Sequence, residues 1–332
     1  MKLGDIFTSG MVFAAKKTIR IFGSGEGSAE VTFAGQTRTV VSTGDTWCTE
    51  FPPMEYGGPY ELKFQGDGEP VLLNDLYIGE VYLFSGQSNM AFTLVRTNTP
   101  KEMYEDNDSL RYIQITNRPE EMAWVKAKRE EVNAWSALGY LAGMNIQKDK
   151  KIHVGIILCA IGASAIESWL PEGTLEKIGI QIPLEEKHLD HYHEKLIAMN
   201  QDGFLYHHKL ERVIPFSLSG AVWYQGESDA TESEGAVYEQ ELSELIRIWR
   251  GDFRNEHLPF CIVQLADYEG RIKLDSGWRL VQEAQMRISR HVPNVYTVVS
   301  KDICETDDIH PQTKDQLAVR IAEAIKAHFF EG

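Results

Sequence analysis

Along residues 1–76, apolar and polar positions alternate in short runs at 18–22, 29–33, 37–41, 47–51, 60–64 and 71–73. Clusters such as Gly23-Ser24-Gly25 and Gly66-Asp67-Gly68 separate them. Period-two alternation broken by turn residues, roughly every 8–12 positions, predicts a small antiparallel β-sandwich. From Asp75 onward the pattern changes. Leu76-Tyr77-Ile78-Gly79-Glu80 leads into an apolar run at 81–84, and further β-rich apolar runs stand at 153–159, 220–224, 259–265 and 295–299. Helical periodicity occupies 238–248, 280–290 and 315–329. Strands alternating with helices predict an α/β unit, a parallel sheet with helices on both faces. The expected division is therefore 1–76 and 77–332.

Composition narrows the function classes. The 332 residues allow two domains or one large one. A net charge of -16 repels phosphate backbones and argues against a nucleic-acid partner, besides favouring solubility. No apolar run approaches the ~20 residues of a membrane helix. The N-terminal Met1-Lys2-Leu3-Gly4-Asp5-Ile6-Phe7 lacks the pattern of a secretory signal, so a cytoplasmic location is expected. Cys48, Cys159, Cys261 and Cys304 form no CxxC pair, which argues against a zinc cluster or a disulfide scaffold. Cys159 and Cys261 sit in apolar runs and read as small buried hydrophobes.

In parallel sheets, ligands bind beyond the carboxyl ends of the strands, so chemistry is sought just after each apolar run. The run at 81–84 is followed by Ser85-Gly86-Gln87-Ser88-Asn89-Met90. A serine two residues after glycine on a strand-to-helix turn can expose its hydroxyl, which a base must activate; the same residues also fit a serine helix cap. The last run precedes Thr306-Asp307-Asp308-Ile309-His310-Pro311. Pro311 suits a first helical position, which places His310 near the N-cap. An aspartate three residues before the histidine can accept from its ring, or simply enrich a helix start in acid. After 220–224, Gln225 carries an amide able to donate to an oxyanion or to its own turn. Gly162 follows 153–159 and offers a backbone N–H, or only a turn. Trp169, Tyr224 and Trp278 lie near strand ends and suit either sugar rings or a core. His188, His191 and His193 stand among carboxylates, where a metal site competes with a solvated charged segment.

Three segments, Ser85-Gly86-Gln87-Ser88-Asn89-Met90, Trp223-Tyr224-Gln225-Gly226-Glu227-Ser228 and Asp308-Ile309-His310-Pro311, resemble the SGNH hydrolase superfamily in order and spacing. More closely they look like its sialate O-acetylesterase and acetylxylan esterase branch. Trp278-Arg279 with Gln282 and Gln285 resembles a further family segment, and His207-His208 falls in one that lines the family's site. Ser9-Gly10-Met11-Val12-Phe13 and Gly57-Gly58-Pro59-Tyr60-Glu61-Leu62 look like the β-domain that precedes the hydrolase.

The resemblance implies a flavodoxin-like three-layer α/β/α hydrolase behind an N-terminal antiparallel β-sandwich. It assigns Ser88 as nucleophile, His310 as general base and then acid, and Asp307 as the residue that orients His310. The N–H groups of Ser88 and Gly162, with the Gln225 side chain, form the implied oxyanion hole. The chain departs from the family pattern at Ala163, where glycine is common, and at Asp229, where asparagine is common. Adjacent Asp307 and Asp308 leave open which of them supports His310. The expected activity is deacetylation of sugars, sialic acid or hemicellulose oligosaccharides, with no metal or organic cofactor. The expected partner is an acetylated sugar, with no nucleic acid and no membrane; homo-oligomerisation is left open. The rivals are a short-chain or lipid esterase on the same fold, and a dead hydrolase that only binds carbohydrate.

Overall fold

The computed structural model describes residues 1–188, 193–272 and 276–330. Its centre is a mixed sheet in which Asn107–Gln114, Val154–Ala160, Val71–Gly86, Gly220–Tyr224, Phe260–Val263 and Val295–Val298 lie side by side and parallel. Val125–Ala127 adds an antiparallel edge. Val154–Ala160 and Gly220–Tyr224 are buried at every position. That is the behaviour of parallel strands covered on both faces and explains their unbroken apolar runs. Cys159, in the first of these strands, and Cys261, in Phe260–Val263, are both fully buried.

Helices Ala137–Lys150 and Asp315–His328 pack together, and Glu232–Asp252 packs with Gly277–His291. Glu232–Asp252 begins earlier than its apolar periodicity suggests. Thr231 Oγ1 accepts from the Glu234 N–H, and the Glu234 carboxylate accepts from the Thr231 N–H. This capping box starts the helix through six residues with no apolar stripe. Ala137–Lys150 escaped the periodicity for a different reason. Eight of its residues are buried, so it shows no polar face to contrast with an apolar one.

Most of the N-terminal strands pair antiparallel, while Val12–Ala14 pairs parallel with the segment Tyr77–Gly79. Lys2–Leu3, Ile19–Ser24 and Thr46–Phe51 form one sheet, while Gly27–Phe33 pairs with Gln36–Ser42 and Gly57–Gln65. Trp47 stacks on Phe64 with centroids 5.4 Å apart. The expected break near position 76 is absent: Val71–Gly86 is one strand. Its first half pairs antiparallel with Gly57–Gln65 and its second half parallel with Val154–Ala160. Asp75, where the sequence pattern changes, is accommodated inside the strand at φ 62°. Phe13 stacks on Phe216 at 5.7 Å, so the core is continuous across the two regions. Among the described residues, no helix is long and apolar enough to cross a membrane.

Candidate active site

The central strand and its two neighbours end in register: Gly86 lies opposite both Ala160 and Tyr224. Three of the segments read from the sequence therefore emerge side by side. Gly86 has φ +128°, and a Cβ on it would lie 2.1 Å from the Tyr224 carbonyl oxygen. Only glycine permits this turn. The Gln87 N–H donates to the Tyr224 carbonyl at 3.0 Å, and Gln87 Oε1 accepts from the N–H groups of Gly226 and Ser228 at 3.3 and 3.4 Å. Ser88 then opens the short helix Ser88–Ala91, with Gln87 rather than Ser88 at the cap position.

The Ser88 hydroxyl is bonded instead to His310, with Oγ and Nε2 2.9 Å apart. The His310 ring stacks against Phe92 at 6.1 Å. Burial lowers the His310 pKa, opposed by the Asp308 charge and assisted by Arg96 and Lys314. The ring is thereby kept in the neutral form a base requires. His310 does not cap a helix, because the following helix begins only at Asp315. The Glu305 carboxylate accepts from the Thr313 N–H and hydroxyl, at 3.2 and 2.7 Å, which holds that stretch in a turn.

Asp307 does not orient the His310 ring as expected. It is exposed and makes no hydrogen bond to another described residue. Asp308 Oδ1 accepts from the His310 backbone N–H at 2.8 Å. This is an aspartate turn, which commits the closer carboxylate to the loop and leaves it acting on the imidazole through its charge.

Gly162 packs against Ser88, and a Cβ on it would lie 3.5 Å from the Ser88 Cβ. Neither the Ser88 nor the Gly162 N–H donates to a described backbone carbonyl. Two backbone donors thus stand beside the hydroxyl, free for an oxyanion. Ala163 follows at φ +59°, a conformation that glycine adopts without cost, which accounts for the family preference there. Asn200 locks the loop, its Oδ1 accepting from Ala165 N–H and its Nδ2 donating to the Ala163 carbonyl, each at 2.7 Å.

Gln225 departs from its expected role. It is fully buried, and its amide nitrogen donates to the Ser164 carbonyl at 2.8 Å and to Asp229 Oδ2. Its Oε1 accepts from the Tyr238 hydroxyl at 2.8 Å. With both amide hydrogens committed, the side chain has none left for an oxyanion. Asp229 also accepts from the Ile166 N–H at 3.1 Å, bracing the Gly162 loop from behind. Beyond it lies a cavity of about 550 Å³ whose lining includes Glu167, Lys187, Asp202, Asp229, Glu234 and Glu241. Neither Ser88 nor His310 lines it.

Trp169, Tyr224 and Trp278 are at most 2% exposed and belong to the core, not to a sugar-facing surface. Trp169 Nε1 donates to Ser164 Oγ, and Trp278 Nε1 to the Ala266 carbonyl, both at 3.0 Å. His207 is exposed and pairs with Glu211 at 3.0 Å. Of the histidines weighed for a metal, His191 lies outside the described residues; among the described residues no group is arranged to hold one.

Sequence reading missed a buried polar network directly behind Ser88. Asn89 Nδ2 donates to Glu227 Oε1 at 2.6 Å and to the Ile309 carbonyl at 2.9 Å, and its Oδ1 accepts from Lys314 Nζ at 2.7 Å. Burial holds Glu227 up to about 7 and Lys314 down to about 8. Nothing in the local pattern marks Lys314, whose partner is 225 residues away.

Residues 78–327 match the family model described as carbohydrate esterase, sialic acid-specific acetylesterase. The sialate O-acetylesterase of Homo sapiens is 26% identical over 332 residues, covering 87% of this chain and 62% of that protein. The chain thus spans under two thirds of the length of that relative. A probable carbohydrate esterase of Arabidopsis thaliana is 23% identical, covering 80% of this chain and 96% of its own. Among solved structures, a carbohydrate acetylesterase from Xanthomonas citri superposes with a TM-score of 0.84 at 27% identity, covering 98% of this chain and 75% of that one. With a serine at the end of its central strand bonded to a histidine from the loop after the last strand, the chain belongs to the carbohydrate esterase family of sialic acid-specific acetylesterases.

Proposed function

We propose that the protein is a carbohydrate O-acetylesterase that hydrolyses acetyl esters on sugars, sialic acid or hemicellulose oligosaccharides, through an acyl-enzyme on Ser88. The observation that carries this reading is the 2.9 Å contact between Ser88 Oγ and His310 Nε2 beside the Gly162 backbone. His310 takes the proton as Ser88 attacks the acetyl carbonyl. The oxyanion accepts from the N–H groups of Ser88 and Gly162, and Asp308 favours the imidazolium by its charge. His310 returns the proton to the departing sugar hydroxyl. Water, deprotonated by the same ring, then attacks the acetyl-serine and releases acetate.

The finer fold belongs to the same proposal. Leaving aside Asn107–Gln114, which flanks Val154–Ala160 towards the sheet edge, the strands Val71–Gly86, Val154–Ala160, Gly220–Tyr224, Phe260–Val263 and Val295–Val298, numbered in chain order, run 2-1-3-4-5. That order supports a flavodoxin-like SGNH hydrolase whose nucleophile sits at the switch point after the first strand. The Trp47–Phe64 stack supports two N-terminal sheets facing each other as a sandwich.

Acetate release from a panel of acetylated sialic acids and xylo- and manno-oligosaccharides tests the reading, with an octanoyl ester as the lipid-esterase arm. Ser88→Ala is expected to lower release at least ~10³-fold. Normal turnover by Ser88→Ala would end the proposal.

A further inference from the structure

Ser88 and His310 come from segments 222 residues apart, and one hydroxyl–imidazole contact is a weak way to hold them. A second tie runs beneath them. Asn89 follows the nucleophile and Ile309 precedes the base, and the Asn89 amide donates to the Ile309 carbonyl at 2.9 Å. An amide spans such a gap only in one orientation, because its nitrogen donates and its oxygen accepts.

The groups around Asn89 dictate that orientation. Lys314 Nζ can only donate, and it meets Oδ1 at 2.7 Å. The Glu227 carboxylate and the Ile309 carbonyl face the nitrogen. No other described group donates to Oδ1. Lys314 is itself fully buried, with its ammonium 5.0 Å from the Phe92 ring and 5.8 Å from the Tyr224 ring. Phe92 is the ring against which His310 stacks. The buried cation therefore touches both the amide brace and the aromatic seat of the base. Burying an ammonium is costly, and here it obtains one hydrogen bond and two aromatic faces in return.

We infer that Lys314 is a positioning residue of the catalytic site: by fixing the Asn89 amide it holds the Ser88 turn against the His310 loop. The inference rests on the proposed Ser88–His310 reaction. Lys314 lies below the reacting atoms and does not meet substrate, so its loss acts on turnover and not on binding. Misplacing a catalytic pair by about 1 Å costs on the order of 10²-fold.

The test is a double-mutant cycle on kcat, KM and Tm with an acetylated sugar. Lys314→Met keeps the buried stem and removes the donor. It is expected to lower kcat about 10–100-fold and leave KM within about twofold. Because Lys314 acts through Asn89, adding Lys314→Met to Asn89→Ala is expected to lower kcat no further. Multiplying effects, or a raised KM with unchanged kcat, would overturn the inference. If Lys314→Met does not fold, Asn89→Asp carries the test. It keeps an acceptor for Lys314 but loses both donations, so a kcat-only loss supports the brace and an unchanged kcat overturns it. Ser88→Ala separates the two levels: an inactive Ser88→Ala beside a normal Lys314→Met sinks the positioning role alone, whereas an active Ser88→Ala sinks the reaction and the positioning role with it.

Discussion

The Gly162 loop has a polar cluster on each side of it, and the two are built on opposite terms. On one side, Ser88 and His310 are partly exposed, and two backbone N–H groups have no described carbonyl partner. On the other, Gln225 and Asp229 are buried, and both amide hydrogens of Gln225 are committed. Both clusters grow from strand ends of the same parallel sheet. The difference shows that donors left unpaired can serve a passing charge, whereas saturated ones hold the scaffold.

Proton demand differs as well. Burial lowers the His310 pKa, so the active neutral form prevails above a midpoint below 6.5. Across the loop, burial raises the pKa values of Glu167, Asp229 and Glu234, and pushes Glu241 up to about 8. Glu241 Oε2 has no hydrogen-bond partner among the described residues. Burial thus opposes the charged form of each of these carboxyls, and Lys187 offsets it at Glu167 with an ion pair. A group whose folded pKa lies above its unfolded value contributes stability that is complete below the unfolded value and fades as pH rises through the folded one. For Glu241 that window runs from 4.5 to about 8. In the proposed reaction, activity therefore gains from rising pH where the cavity loses stability.

The largest effect expected to probe this contrast comes from Gln225→Ala. It strands Asp229, Tyr238 and the Ser164 carbonyl and is expected to cost about 3–5 kcal/mol, read as a lower Tm. At a temperature where the variant is folded, kcat is expected to stay within about tenfold of the parent. A kcat loss of roughly 10²–10³ at unchanged Tm would return Gln225 to the oxyanion hole and break the contrast. A smaller effect separates the two pH demands. The acid limb of kcat/KM is expected to centre below pH 6.5, while Tm declines from pH 5 towards pH 8. Glu241→Gln is expected to flatten the Tm profile and raise Tm at pH 8 by about 3–5 °C, with the acid limb unmoved. A shifted limb would mean that the cavity and the catalytic pair are electrostatically one site. The smallest effect is that of Ala163→Gly. It relieves a left-handed alanine but loosens the unfolded chain, for a net gain under about 1 kcal/mol in a denaturant titration. A marked loss of kcat there would show that the methyl group shapes the oxyanion loop.

Much of the site was legible because its residues follow apolar runs. Ser88, Gly162 and His310 were found that way, and the strands bring all three together. The strand Asn107–Gln114 was missed because its apolar residues stand among Asn107, Asp108 and Arg111. Arg111 is nonetheless buried and pairs with Asp75 at 2.8 Å. Gln225 misled because an amide reads as a donor wherever it stands, and its partners Ser164 and Tyr238 come from other elements. The aromatic residues misled similarly: Trp169, Tyr224 and Trp278 lie near strand ends but face inward.

By itself the sequence determined the alternation of strands and helices, the glycine at the turn before Ser88 and the order of the segments that form the candidate site. Those features depend on local periodicity and on backbone conformations that a single residue type allows. Tertiary structure alone decided that Asp308 closes the histidine turn while Asp307 stays exposed, that Gln225 is saturated, and that Lys314 meets Asn89. The direction of a hydrogen bond and the burial of a charge depend on partners from distant segments, and these exist only once the chain has folded.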